Sequence, residues 1–77
     1  MKPQTITSNS GNDTFEAYFF NVPMMHEDWH TADELGLMYV GYIENGPNYW
    51  DDNMVFTHKE HPNYHTLAEK WLNDFYG

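Results

Sequence analysis

Histidine gives this chain its most specific chemical pattern, because imidazole binds metals and transfers protons. Two of the five histidines, His26 and His30, flank Glu27 in the pattern H-E-x-x-H. On a helix, this spacing places both imidazoles on one face, where they can share a zinc ion. The carboxylate between them can then act as a general base. The first candidate site is therefore that of a minimal metal-dependent hydrolase.

Several features of the sequence argue against such an enzyme, and the resemblance to zincin metalloproteases covers these five residues alone. Thr31 and Glu34 have the spacing of a capping box, which predicts that a helix begins after the motif, over 31–37. Asp28 puts a charge where the zincin helix is apolar. A third ligand and a substrate cleft also need more chain than 77 residues provide. We predict that the pattern is coincidental and that the protein is not an enzyme.

A non-catalytic metal site is the alternative use of the histidines. His58, His61 and His65 lie close together in the sequence with Glu60 among them, and imidazole nitrogens suit zinc or nickel. However, His61 precedes Pro62, which favours extended backbone and breaks helical registration with His58. The plainer interpretation is that the histidines cap helices, bond to carboxylates or lie on the surface. We predict no cofactor and no metal, and the alternative ligand set is His26, His30, His58, His61 and His65.

The charge of the chain excludes several classes of partner. The chain contains twelve Asp and Glu residues, three lysines and no arginine, which gives a formal net charge of −9. Nucleic-acid binders and proteins of anionic membranes need clustered basic residues, and Lys2, Lys59 and Lys70 are scattered. A charged partner should therefore be a basic protein surface. Nine charges equal those on about 15 Å of duplex DNA, so one acidic face would approach the charge density of a nucleic acid.

The carboxylates cluster in two places, each with aromatic neighbours that can anchor an interface. Helix-dipole, turn and solubility roles explain the same residues without any partner. As a recognition surface, the predicted partner-binding residues are Glu27, Asp28, Asp33, Glu34, Tyr49, Trp50, Asp51 and Asp52.

These features favour a small acidic inhibitor that binds a host nucleic-acid-processing enzyme, such as a nuclease, CRISPR effector or glycosylase. It would occlude the basic groove by nucleic-acid mimicry, as phage or mobile-element inhibitors do; this analogy rests on size and charge. The second alternative, besides the metal site, is a structural or assembly subunit that forms a homodimer through the aromatic strand 14–22. The sequence contains no apolar run suited to a signal peptide or a membrane span, so we expect a cytoplasmic protein without membrane contacts.

The periodicity of the apolar residues predicts the strands and helices that position these side chains. We predict a single α+β domain, 1–77, in which 1–13 is partly flexible and 4–8 forms an edge strand. Residues 14–22 alternate as a central strand, and further strands cover 38–44 and 54–57, with a bulge or tight loop at 51–53. Pro62 opens a C-terminal amphipathic helix whose apolar stripe continues to Phe75. The expected architecture is a small antiparallel sheet of three to four strands with this helix packed on one face and a short helix near 31–37.

Overall fold

The computed structural model describes residues 2–8, 10–44 and 52–76, the last two of these by their backbone only. The chain forms an antiparallel four-stranded sheet with two helices. In order along the chain, the elements are β1 (Gln4–Thr7), β2 (Thr14–Asn21), α1 (His26–Glu34), β3 (Leu37–Ile43), β4 (Asn53–His58) and α2 (Pro62–Tyr76). The predicted α+β class and the C-terminal helix are confirmed.

The strands lie in the order β1-β2-β4-β3, so the last strand of the chain occupies an interior position. β4 pairs antiparallel with both of its neighbours, and Phe56 stands opposite Tyr18 on one side and Tyr39 on the other. β2 and β3 consequently run parallel to each other and are connected through α1. β1 is an edge strand and β2 an interior one, as predicted.

Each face of the sheet carries one helix, and we name the faces after them. Because successive strand residues point to opposite faces, Val55 lies on the α2 face and Phe56 on the α1 face. The buried core of the α2 face comprises Phe15, Ala17, Ile43, Val55, Ala68 and Leu72. The buried core of the α1 face comprises Tyr18, Phe20, Ala32, Leu37 and Phe56.

α2 packs closely on its face. Trp71 makes edge-to-face contacts with Phe15 and Phe19, with ring centroids 6.1 and 6.2 Å apart. On β3, a Cβ added to Gly41 would lie 2.8 Å from Leu72 Cδ1, closer than real Cβ contacts come. A glycine at this position therefore lets the helix approach the sheet.

α1 begins six residues earlier than the capping pattern predicts, with Met25 as its N-cap. Asp28 Oδ2 accepts a hydrogen bond from the Met25 backbone N–H at 2.8 Å, which is one half of a capping box centred on Met25. Thr31 is inside the helix, where its hydroxyl donates to the Glu27 carbonyl at 3.0 Å. The prediction of an N-cap at Thr31 is wrong. Asp28 lies three residues after Met25, as Glu34 lies three residues after Thr31, and it caps the earlier turn instead. The helix ends before Gly36, whose φ of +68° suits glycine.

The irregularity in the sheet lies in β3. The β3–β4 register shifts between Tyr39 and Gly41, so Val40 is the bulged residue. The bulge or loop predicted at 51–53 is not found at Asn53, which pairs regularly with Asn21 and Ile43. Position 51 is outside the described residues.

Candidate functional site

The carboxylates of α1 divide into a capping group and an exposed group. Asp28 is half-buried and bonded to the backbone at Met25, whereas Glu27, Asp33 and Glu34 are exposed. At about 100° per residue, Glu27 and Glu34 lie on one flank of the helix, and Asp33 lies on the other. Three of the four predicted carboxylates are therefore exposed to solvent, while the fourth has a local structural role.

Asp52 lies near the start of α1. Its side chain is exposed, and its carbonyl accepts a hydrogen bond from the Val22 N–H at 3.0 Å. Val22 follows β2 and leads into α1, so this bond holds Asp52 at the end of the sheet from which the helix begins. Tyr49, Trp50 and Asp51, the other predicted members of this cluster, lie outside the described residues.

The H-E-x-x-H pattern does lie on a helix, against the prediction that the helix begins after it. His26 and His30 occupy successive turns of α1, and their ring centroids are 4.5 Å apart. Both are exposed. The objection to a zinc hydrolase based on helix position therefore fails, and the question becomes whether further ligands are present.

The other three histidines contact side chains of other residues and not the His26–His30 pair. His58 Nε2 lies 3.2 Å from the buried Tyr18 hydroxyl. His61 stacks on Tyr64 with ring centroids 4.7 Å apart, and His65 Nδ1 lies 2.6 Å from Glu69 Oε1.

No cluster of metal ligands results from this arrangement. Across residues 2–8, 10–44 and 52–74, no three histidine or carboxylate side chains come together as a metal site. The structure does not bring the alternative ligand set together, so a zincin centre has no third ligand among these residues.

A depression lies between β3 and α2, and its volume is about 290 Å³. Glu69 is its single titratable carboxylate, and this group is paired with His65. An acid–base pair for catalysis is therefore missing from this wall. The lining residues are Val40, Gly41, Tyr42, Glu69, Leu72 and Asn73.

Exposed rings on the α1 face are the feature that the sequence prediction missed. Trp29 and Tyr39 are each 46% exposed, and Tyr42 is 41% exposed. Tyr39 and Tyr42 are three residues apart and would face opposite sides of a regular strand. The bulge at Val40 changes this, because Tyr39 pairs with Phe56 and Tyr42 with Met54 on the same face. A bulge redirects side chains in this way, and no signal in the sequence marks its position.

Trp29, Phe56 and Tyr39 form what we call the aromatic notch. The buried Phe56 ring is its floor, and the two exposed rings, its walls, each contact that floor. Ring centroids of Trp29 and Tyr39 lie 5.9 and 5.7 Å from that of Phe56, with interplanar angles of 77° and 67°. One wall comes from α1 and the other from β3. Met25, 65% exposed, precedes Trp29 by one turn and extends the apolar surface.

Most apolar side chains of β2, in contrast to these exposed rings, are buried. Phe15, Ala17, Tyr18 and Phe20 are buried within the chain, and β2 lies between two strands. These side chains belong to the core, so they are not available to an interface, and a homodimer formed through strand 14–22 stays a prediction.

No family model matches the chain, and no curated protein or solved structure matches it either. None of the helices formed by the described residues is both long and apolar enough to cross a membrane.

Proposed function

We propose that the protein is a small acidic inhibitor that binds a basic protein surface through its α1 side. The partner class is a nucleic-acid-processing enzyme, such as a nuclease or CRISPR effector, whose nucleic-acid groove the chain occludes. The observation that carries this proposal is the combination of exposed rings and exposed carboxylates on one helix and the sheet face beneath it.

The charge is distributed unevenly along the chain. Residues 3–58 hold nine of the twelve carboxylates and no lysine or arginine, while 59–77 hold the other three with two of the three lysines. The whole of α1, β2, β3 and β4 comes from the first part. The greatest extent of the molecule is 35 Å, and its net charge equals that of about 15 Å of duplex DNA. A surface on which these charges are concentrated would approach the charge density of DNA. Three of the carboxylates are exposed on α1.

The exposed rings indicate a protein partner in addition to charge. Scattered apolar residues are normal on a surface, but interface centres are enriched in Trp, Tyr and Met. Trp29, Tyr39, Tyr42 and Met25 are such residues on one side of the molecule. Carboxylates around them would repel a phosphate backbone and attract a basic surface.

The test compares two variants with the same change in charge. In the α1 variant, Glu27→Gln, Asp33→Asn and Glu34→Gln remove three exposed carboxylates. In the control, Glu60→Gln, Glu69→Gln and Asp74→Asn remove the three carboxylates of residues 59–77. Immobilised protein captures basic enzymes from a bacterial lysate at low salt, and each captured enzyme is then assayed for displacement of a labelled oligonucleotide.

We expect wild type and control to displace the oligonucleotide at low salt and the α1 variant to do so poorly. Steered electrostatic binding should weaken steeply as salt rises. Equal loss in both variants would show that net charge acts without a defined surface. Capture without displacement of the oligonucleotide, or affinity that is independent of salt, would exclude the inhibitor proposal.

A further inference from the structure

We infer that the aromatic notch receives an arginine side chain of the partner, with the guanidinium stacked on Trp29 and paired with Asp33. This inference rests on the proposed function, since it names the group that the acidic α1 side recognises. The occupant is therefore an arginine-presenting segment of a basic protein.

The notch offers exposed aromatic surface to a flat cation. Phe56, 3% exposed, closes its floor, and the Trp29 and Tyr39 rings rise beside it, each nearly half exposed. Both walls meet Phe56 at steep interplanar angles, and the 46% exposure of each residue leaves part of its surface open to solvent. A cation over such a face, within about 6 Å of the centroid, is attracted by the ring quadrupole, and Trp is the strongest acceptor.

A carboxylate stands beside the Trp29 wall. Asp33 follows Trp29 by four residues on α1 and is exposed. Residues with this spacing are neighbours on a helix surface, with Cβ atoms about 5–6 Å apart. A guanidinium on the indole can thus donate hydrogen bonds to the carboxylate at the same time. Glu34 is one residue further and lies about 100° around the helix, away from Trp29.

Arginine fits this pair of groups better than lysine does. Its guanidinium is planar, stacks on rings, and offers several donors in a fixed fork that matches a carboxylate. The lysine ammonium is compact and strongly hydrated, so it gains less from a ring at an exposed site. A nucleobase would also stack, but its phosphates would meet the carboxylates of α1, which disfavours a nucleic acid as the occupant.

The test uses two blocked glycine–serine peptides, one with arginines and one with lysines at the same positions. Binding at low salt is followed through the indole N–H resonances of the ¹⁵N-labelled protein, with the Trp29 signal assigned from Trp29→Phe. We expect the arginine peptide to bind about two- to fivefold more tightly, the ratio typical of one exposed cation–π contact. The Trp29 signal should shift more than that of Trp71.

Asp33→Asn and Glu34→Gln form the matched pair, since each removes one exposed charge from the same helix. Asp33→Asn and Trp29→Ala should abolish the preference for arginine, and Glu34→Gln should keep it. Trp29→Phe, which retains a ring, should keep part of it and guards against misfolding of the alanine variant. Amide spectra of each variant report whether the fold is intact.

Equal affinity of wild type for the two peptides would overturn the inference. Salt-sensitive binding of both peptides would in that case leave the acidic docking surface standing. Loss of the preference in Glu34→Gln as large as in Asp33→Asn would also overturn it, because the effect would then be one of charge alone. If neither peptide binds at low salt, both the inference and the docking surface are wrong.

Discussion

The two helices treat the same sheet differently. α2 has fifteen residues and packs an apolar stripe onto Phe15 and Val55, close enough that a Cβ on Gly41 would force Leu72 Cδ1 to shift. α1 has nine residues, buries Ala32 and leaves Trp29 and Tyr39 nearly half exposed. The contrast is between a face whose helix packs closely on the sheet and a face that leaves aromatic surface exposed, and the proposed docking surface lies on the second.

The largest expected effect tests this division through one aromatic residue from each side. Phe15→Ala should lower the free energy of unfolding by about 3–5 kcal/mol, because it empties a buried site. Trp29→Ala should cost about 1 kcal/mol or less, since its ring is 46% exposed. Urea unfolding followed by circular dichroism measures both. Similar losses in the two variants would end the comparison.

Close packing of α2 is tested at Gly41. Gly41→Ala should cost about 1–3 kcal/mol, as overpacking does, because the new methyl group meets Leu72 Cδ1. Leu72→Ala removes that obstacle, so the double variant should lose less stability than the sum of the two single variants. Urea unfolding of all four proteins gives the coupling, and strict additivity would contradict the contact.

The start of α1 provides a test of intermediate size. Asp28→Ala should cost about 1 kcal/mol, because it removes the acceptor of the Met25 N–H and a favourable charge at the helix N-terminus. Thr31→Ala should be neutral or stabilise by a few tenths of a kcal/mol, since alanine suits a helix interior. Thermal unfolding ranks the two variants, and a larger loss in Thr31→Ala would move the cap back to the position that the sequence suggested.

The smallest effect concerns the outward charges of the helices. Glu69→Gln removes the contact to His65 and should cost about 0.3–0.5 kcal/mol when the imidazole is protonated. Glu34→Gln is the control on α1, where Glu34 has no ion pair with the described residues. Thermal unfolding in mildly acidic buffer is the measurement. A loss in Glu34→Gln that equals the loss in Glu69→Gln would show that the α1 carboxylates also support the fold.

The parts of the fold that were predicted correctly have strong periodicity. Phe15 and Ala17 alternate with Tyr18 and Phe20 at a period of two, and the stripe from Tyr64 to Leu72 follows a helical period. These patterns record which side chains must be buried, so they determine β2 and α2. The start of α1 was predicted wrongly because two acidic residues, Asp28 and Glu34, can each serve an N-terminus three residues before them.

For the candidate site, the sequence was informative about charge and uninformative about direction. Exposure of Glu27, Asp33 and Glu34 follows from their chemistry. The notch does not, because it requires Trp29 of α1 to meet a ring of β4. The exposed Tyr42 does not either, because a bulge at Val40 turns it toward the face that carries Tyr39. Both features depend on contacts between residues that are far apart in the sequence, and local sequence patterns do not predict such contacts.

The interior position of β4 has a consequence for how the protein comes into being on a ribosome. β2 and β3 are made first, yet neither has its main neighbour until residues 53–58 emerge between them. Their long-range pairing must wait, and unpaired strand edges favour aggregation. Nascent chains halted before β4 should therefore depend on chaperones. A separate peptide that spans β4 and α2 should complete the sheet of such a chain and restore its fold.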